Sequence, residues 1–92
     1  MSFLFFSDPG HGWLKVPRKL LQQLGIEQKI THYSYQRSEY VYLEEDCDAS
    51  LFLQTMKEKG IEVKIVDRRQ ANKSSPIRSY ASFVPEIEHG RV

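Results

Sequence analysis

A small α+β domain is predicted, with two short helices on one face of a mainly antiparallel sheet of about five or six strands. Two kinds of observation point to it. Short runs of solidly apolar or alternating residues recur along the chain, and two segments instead carry apolar residues at i, i+3, i+4 spacing. Glycine- and proline-bearing turns punctuate the runs and give the order β-β-α-β-β-α-β-β. A length of 92 residues suits one domain and is too short for two. The domain is assigned to residues 1–84, and 85–92 read as a frayed tail.

Each element has its own reason. Ser2 to Ser7 ("SFLFFS") is apolar without alternation, as expected of a strand covered on both faces. "DPGHG" is a turn, with proline second and glycine third as a type II turn prefers. "WLKV" resumes the extended chain, with Trp13 and Lys15 opposite Leu14 and Val16. Pro17 fits the first helical position, where its missing N–H costs nothing. The short helix "PRKLLQQLG" presents Leu20, Leu21 and Leu24 on one side and stops at Gly25.

Period-two alternation then runs from Ile30 to Leu43, a hairpin with "RSE" as its loop. In that register Tyr33, Tyr35, Tyr40 and Tyr42 share a face. Asp48 is placed to cap the second helix, on which Ala49, Phe52, Leu53 and Met56 form the apolar stripe and Gly60 the stop. "IEVKIV" reads as a strand with Ile61, Val63 and Ile65 inward. "RRQANKSSP" reads as an exposed polar loop, and "IRSYASF" as the final strand.

Composition excludes several classes. A hydrophobic fraction of 40% with 27% charged residues is that of a folded domain. A formal net charge of +1 argues against a DNA mimic and against a strongly electrostatic nucleic-acid binder. The one cysteine, Cys47, excludes an internal disulfide and suits a reducing cytoplasm. The apolar run at the start is too short for a spanning helix, so no membrane association is expected.

Candidate chemistry is weighed against plainer roles. His11 could serve as a general base or phosphate contact oriented by Asp8, or stand exposed at the tip of a turn. Trp13 is either core or an exposed anchor. Glu44, Glu45, Asp46, Cys47 and Asp48 offer metal-binding groups but lack EF-hand or zinc spacing, so a helix N-terminus explains them better. His32 and His89 stand apart from other reactive groups. The tyrosine face would be core if covered, or an aromatic patch suited to protein or base contacts if open. From Lys57 to Arg78 seven bases face three acids, a local excess of +4 that includes Arg68, Arg69 and Arg78 and reads either as solvated loops or as a basic edge that meets phosphates or an acidic protein surface. No catalytic residue, metal ligand or cofactor is assigned.

The segments "SDPGHGWLKV", "YSYQRSEYVYLEEDCDA" and "SPIRSYASF" together resemble a group of short, largely uncharacterised accessory proteins of bacteriophages, plasmids and other bacterial mobile elements. The likeness runs from Ser7 to Phe83. It implies a small protein in the cytoplasm of a bacterial host that binds and disables a host component, and it supplies no catalytic residue. It also raises the weight of Asp8, His11, Gln36, Arg37 and Arg78 as parts of one surface.

The resulting expectation is a non-enzymatic binding protein, alone or as a homodimer, that inhibits a host defence or regulatory factor. Its contacts would come from Asp8, His11, Trp13, Tyr35, Gln36, Arg37, Arg68, Arg69 and Arg78. One alternative is a small nuclease or nucleic-acid-binding protein using His11 or His32 and the basic edge. Another is sequestration of a phosphorylated small molecule by His11, Arg37 and Arg78.

Overall fold

A computed structural model describes residues 1–86. Six strands form one mixed sheet: β1 (Ser2–Ser7), β2 (Gly12–Pro17), β3 (Tyr35–Arg37), β4 (Tyr40–Glu44), β5 (Lys64–Arg69) and β6 (Ala81–Ser82). Their order is β5-β1-β2-β4-β3-β6. Every pairing is antiparallel except β1 with β5. Helices α1 (Arg18–Gln23) and α2 (Asp48–Glu58) share one core with a single sheet face. The expected α+β class and element order are therefore present.

The pleat sorts the side chains. Leu14, Val16, Val41 and Leu43 point to the helices and pack with Leu21, Phe52 and Met56. Phe3 meets Phe52 edge-on, with ring centroids 5.2 Å apart. Trp13 and Tyr42 point the opposite way, into a second cluster away from both helices. Strand β1 feeds both sides, Phe3 to the helix core and Phe6 to the second cluster, which is why its sequence shows no polar alternation.

Four expectations need correction. The first concerns the stretch before β3. Ile30 to Ser34 is not strand, and β3 has only three residues. The chain turns there because Asp48 Oδ2 accepts hydrogen bonds from Thr31 N (3.0 Å), Thr31 Oγ1 (2.8 Å) and Ser34 Oγ (2.6 Å). Tyr33 consequently leaves the tyrosine row and is 63% exposed.

The second concerns the cap of α2. Cys47 occupies the N-cap position without a side-chain hydrogen bond. Glu44 supplies the capping role, accepting from Asp46 N (2.8 Å) and Cys47 N (2.9 Å). The third concerns the final strand. Ser75 Oγ accepts from Ile77 N (3.2 Å) and Pro76 follows it, so Pro76–Ser79 coils as a 3-10 turn and only two residues remain for β6. The fourth concerns β5, which starts at Lys64 and takes in Arg68 and Arg69 rather than leaving them in a loop. Ile65 lies on the helix side but at the sheet edge, where it stays 42% exposed.

Glycine 25 ends α1 in the left-handed region, with φ 74°. Pro17 sits one position earlier than expected, as the extended N-cap of α1. Of the expected tail, Pro85 and Glu86 are described, and Glu86 N donates to Glu27 Oε2 at 3.1 Å, which ties this part down. His89 lies outside the described residues.

Candidate functional site

The sheet face without helices carries the site. Trp13, Tyr42 and Ile77 are buried there, with Phe6, Tyr35 and Tyr80 packed against them. Strand parity places the sheet residues, since Phe6 is opposite Trp13, and Tyr35 is opposite Tyr42. Ile77 and Tyr80 come from the segment after β5, which folds across the sheet and plugs the cluster. The rings meet at tilted or edge-on angles, with Trp13–Tyr35 at 6.1 Å and Tyr42–Tyr80 at 5.1 Å between centroids. Burial pushes the Tyr42 hydroxyl pKa up, and the Tyr80 hydroxyl beside it adds to this.

Asp8 fastens the plug. Its carboxylate accepts from Arg78 Nε (2.5 Å) and Arg78 Nη2 (2.9 Å), a two-pronged pairing. It also accepts from Ser75 N at 2.8 Å, and from Gly10 N and His11 N at 3.0 Å each. The Arg78 guanidinium first, and the Ser75 N–H second, hold its carboxyl well below the usual carboxylate range. The same bond to Asp8 raises Arg78.

The turn is thus built on the Asp8 side chain rather than on a type II geometry. Gly10 does not adopt the positive φ a type II turn requires. Its glycine is needed for space, because a Cβ there would stand 2.8 Å from Arg78 Nη2.

Cations lie over the rings of this face. Lys15 Nζ is 4.2 Å from the Tyr40 centroid, Arg37 Cζ 5.0 Å from Tyr80, and Arg78 Cζ 5.6 Å from Trp13. Arg37 Nη1 also donates to Tyr80 Oη at 3.1 Å. Among the described residues the ion pairs are Arg78–Asp8 and Arg18–Glu27, so Lys15 and Arg37 have no carboxylate partner there.

Asp8, Trp13, Tyr35, Arg37 and Arg78 are therefore brought to one neighbourhood. His11 stands at its rim, exposed, 6.1 Å from Trp13 between centroids. Asp8 does not orient the His11 imidazole, since its oxygens serve the His11 backbone and Arg78. Trp13 is only 2% exposed and is a foundation of the face rather than an exposed anchor. Gln36 points to the helix side, where its Oε1 accepts from Arg18 Nη2 and Val84 N (2.9 Å).

Arg68 and Arg69, adjacent on β5, diverge by the same alternation. Arg68 pairs with Phe6 on the aromatic face, and Arg69 with Ser7 on the helix side. Both stand on the edge strand β5, one on each face of the sheet. Arg69 lines an open recess of about 720 Å³ with His11, Glu45 and Asp67.

Sequence reasoning missed Lys15 and Tyr80, and weighed Tyr40 only as one of the tyrosine row. A signal for Lys15 was present, since its alternation with Trp13 puts both on one face. Tyr80 carried none, as its place depends on the long return after β5. Of the acidic stretch at α2, Glu44 caps the start of the helix. Burial raises the Glu44 carboxyl, but the N–H groups of Cys47, Asp46 and Asp48 outweigh it and leave it below its ordinary value. Among the described residues no group of three or more His, Cys, Asp or Glu side chains could hold a metal ion. Nor is any helix there long and apolar enough to cross a membrane. No protein-family model, curated protein or solved structure matches the chain.

Proposed function

We propose that this chain is a small non-enzymatic binding protein of a phage or other mobile element, acting in the bacterial cytoplasm to occupy and inhibit a host defence or regulatory factor. One observation carries this reading: the helix-free sheet face holds Arg37 and Lys15 over fixed aromatic rings without a carboxylate partner among the described residues. Arginine and tyrosine held in place by packing are the residue types that dominate binding energy at interfaces. Sequestration of a phosphorylated signal is weakened because Arg78 already spends Nε and Nη2 on Asp8.

The test is affinity capture from a bacterial lysate with the wild-type protein and with Arg37→Ala. A host protein retained by the first and lost by the second is expected. Capture of nothing, or equal capture by both, overturns the reading.

A nucleic-acid-processing role draws on one different feature, the recess shared by His11 and Arg69. Incubation with RNA and single-stranded DNA in the presence of divalent metals tests it. Cleavage abolished in His11→Ala would support it over simple binding.

A further inference from the structure

The geometry points to a partner of defined chemistry, an acidic protein surface that offers two carboxylates and an apolar side chain beside one of them. This rests on the binding role proposed above and specifies what that face recognises. Tyr40, on β4, is the centre of the docking point and is 38% exposed. Lys15 on neighbouring β2 lays its ammonium over the Tyr40 ring, and Arg37 on β3 is the cross-strand partner of Tyr40 on the other side. The two cations thus rise from strands two spacings apart, roughly 10 Å.

Each has an aromatic backing that limits its rotamers, which lowers the entropy lost when it is engaged. Neither is neutralised by a carboxylate of the described chain, and Arg37 has only a phenol as hydrogen-bond partner. A shallow trough of about 470 Å³ runs beside Lys15 and Tyr40, lined also by Leu4 and Pro17 among others. It offers an apolar contact next to the Lys15 charge, with Tyr40 between it and Arg37.

A single-stranded nucleic acid would also answer the charge. Stacking of bases, however, needs open ring faces. The rings that carry cations on this side are Tyr40 under Lys15, Tyr80 under Arg37 and Trp13 under Arg78. Carboxylates need no ring face. They meet the cations directly, and Arg37 can offer the remaining edge of its guanidinium in two-pronged fashion. The charge pattern with the rings occupied therefore favours the acidic protein surface.

The experiment measures fluorescence anisotropy of a labelled poly-glutamate peptide at low salt, against a uridine-rich RNA of equal charge. Peptide binding is expected to weaken at least tenfold in Lys15→Glu/Arg37→Glu, and to fade with added salt as the screening length shortens. A charge-matched control, Lys57→Glu/Lys59→Glu at the end of α2, should retain most of the binding. Lys15→Gln/Arg37→Gln, which keeps the aliphatic stems, repeats the test should the charge reversals fail to fold.

Absence of peptide binding, equal loss in face and control variants, or tighter binding of the RNA each overturns the assignment. Lysate capture separates this from failure of the binding role. A host protein lost by Lys15→Gln/Arg37→Gln without peptide binding leaves the binding role standing and removes only the acidic chemistry. Peptide binding with no host protein captured does the reverse.

Discussion

Replacing Asp48 by alanine should be among the most damaging single changes in this fold. The residue is 2% exposed and has no cation within ion-pair distance among the described residues. Its Oδ2 accepts from Thr31 N, Thr31 Oγ1 and Ser34 Oγ. Truncation strands the O–H of Ser34, which is fully buried and whose Oγ still accepts from Glu44 N, and the Thr31 N–H, which is partly buried, while Thr31 Oγ1 can turn to water. Each orphaned buried donor costs about 1–3 kcal/mol.

The sum, centred near 4 kcal/mol, is a large part of the roughly 5–15 kcal/mol that holds a small domain together. In urea, with a slope of about 1.3 kcal/mol per molar, the midpoint should fall by roughly 3 M. Asp48→Asn can place its carbonyl where Oδ2 stands and keep all three bonds, losing charge assistance, so about 1 kcal/mol is expected. Ser34→Ala removes one of the stranded donors in advance. The double variant Asp48→Ala/Ser34→Ala should then be less destabilised than the sum of the singles by about 1–2 kcal/mol. Additivity within about 0.5 kcal/mol would refute the reasoning, because the two side chains would not share a bond that matters.

Other expectations test separate features. Gly12→Ala sets a Cβ 2.4 Å from Phe5 Cζ and should cost about 1–3 kcal/mol by overpacking, with Phe5→Leu restoring part of it. Gly25→Ala meets no atom within 4 Å, so its cost of about 1–2 kcal/mol is the left-handed backbone alone, and Gly25→Asn should recover some of it. For Asp8 the folded carboxyl lies below its ordinary pKa of 3.8, so its contribution is full above that value and is lost as pH falls toward the folded value. The melting temperatures of wild type and Asp8→Asn should therefore differ most near neutrality and converge below about pH 4. A gap that stays constant on acidification would contradict the assigned ion pair.

Much of the fold was legible where local pattern and tertiary environment agree. Ala49, Phe52 and Met56 repeat at helical spacing, and all three reach the core because nothing else competes for that face. Trp13, Leu14, Lys15 and Val16 alternate, and the sheet honours the alternation on both sides. The pattern misled where a period-two run came from hydroxyl chemistry instead of pleating. Thr31 and Ser34 sit in it as partners for Asp48, and no local rule says that an acid at a helix start will bond backwards across the chain instead of capping.

The 3-10 turn was readable in principle from Ser75 followed by Pro76, a start signal overridden by the β-like run after it. The site was the least legible part. Asp8 and Arg78 are separated by 70 positions, and the meeting of Trp13 with Ile77 and Tyr80 depends on a long return that no periodicity encodes.

That long return also separates two roles that a binding assay alone would merge. Asp8 and Arg78 hold the Pro76–Ser79 turn against the sheet, and Tyr80, which supports Arg37, follows directly from that turn. Loss of Asp8 should therefore weaken binding by releasing Tyr80, the ring beneath Arg37, even though its own carboxylate is buried. Arg37 itself is exposed, and its described hydrogen bond goes to the Tyr80 hydroxyl, so Arg37→Ala should abolish capture while leaving the melting temperature within about one or two degrees of wild type. Asp8→Asn should lower both together, and its binding defect should shrink on cooling as the turn re-docks. If Arg37→Ala destabilised the protein as much as Asp8→Asn, its place over Tyr80 would be structural and the face would lose its best contact residue.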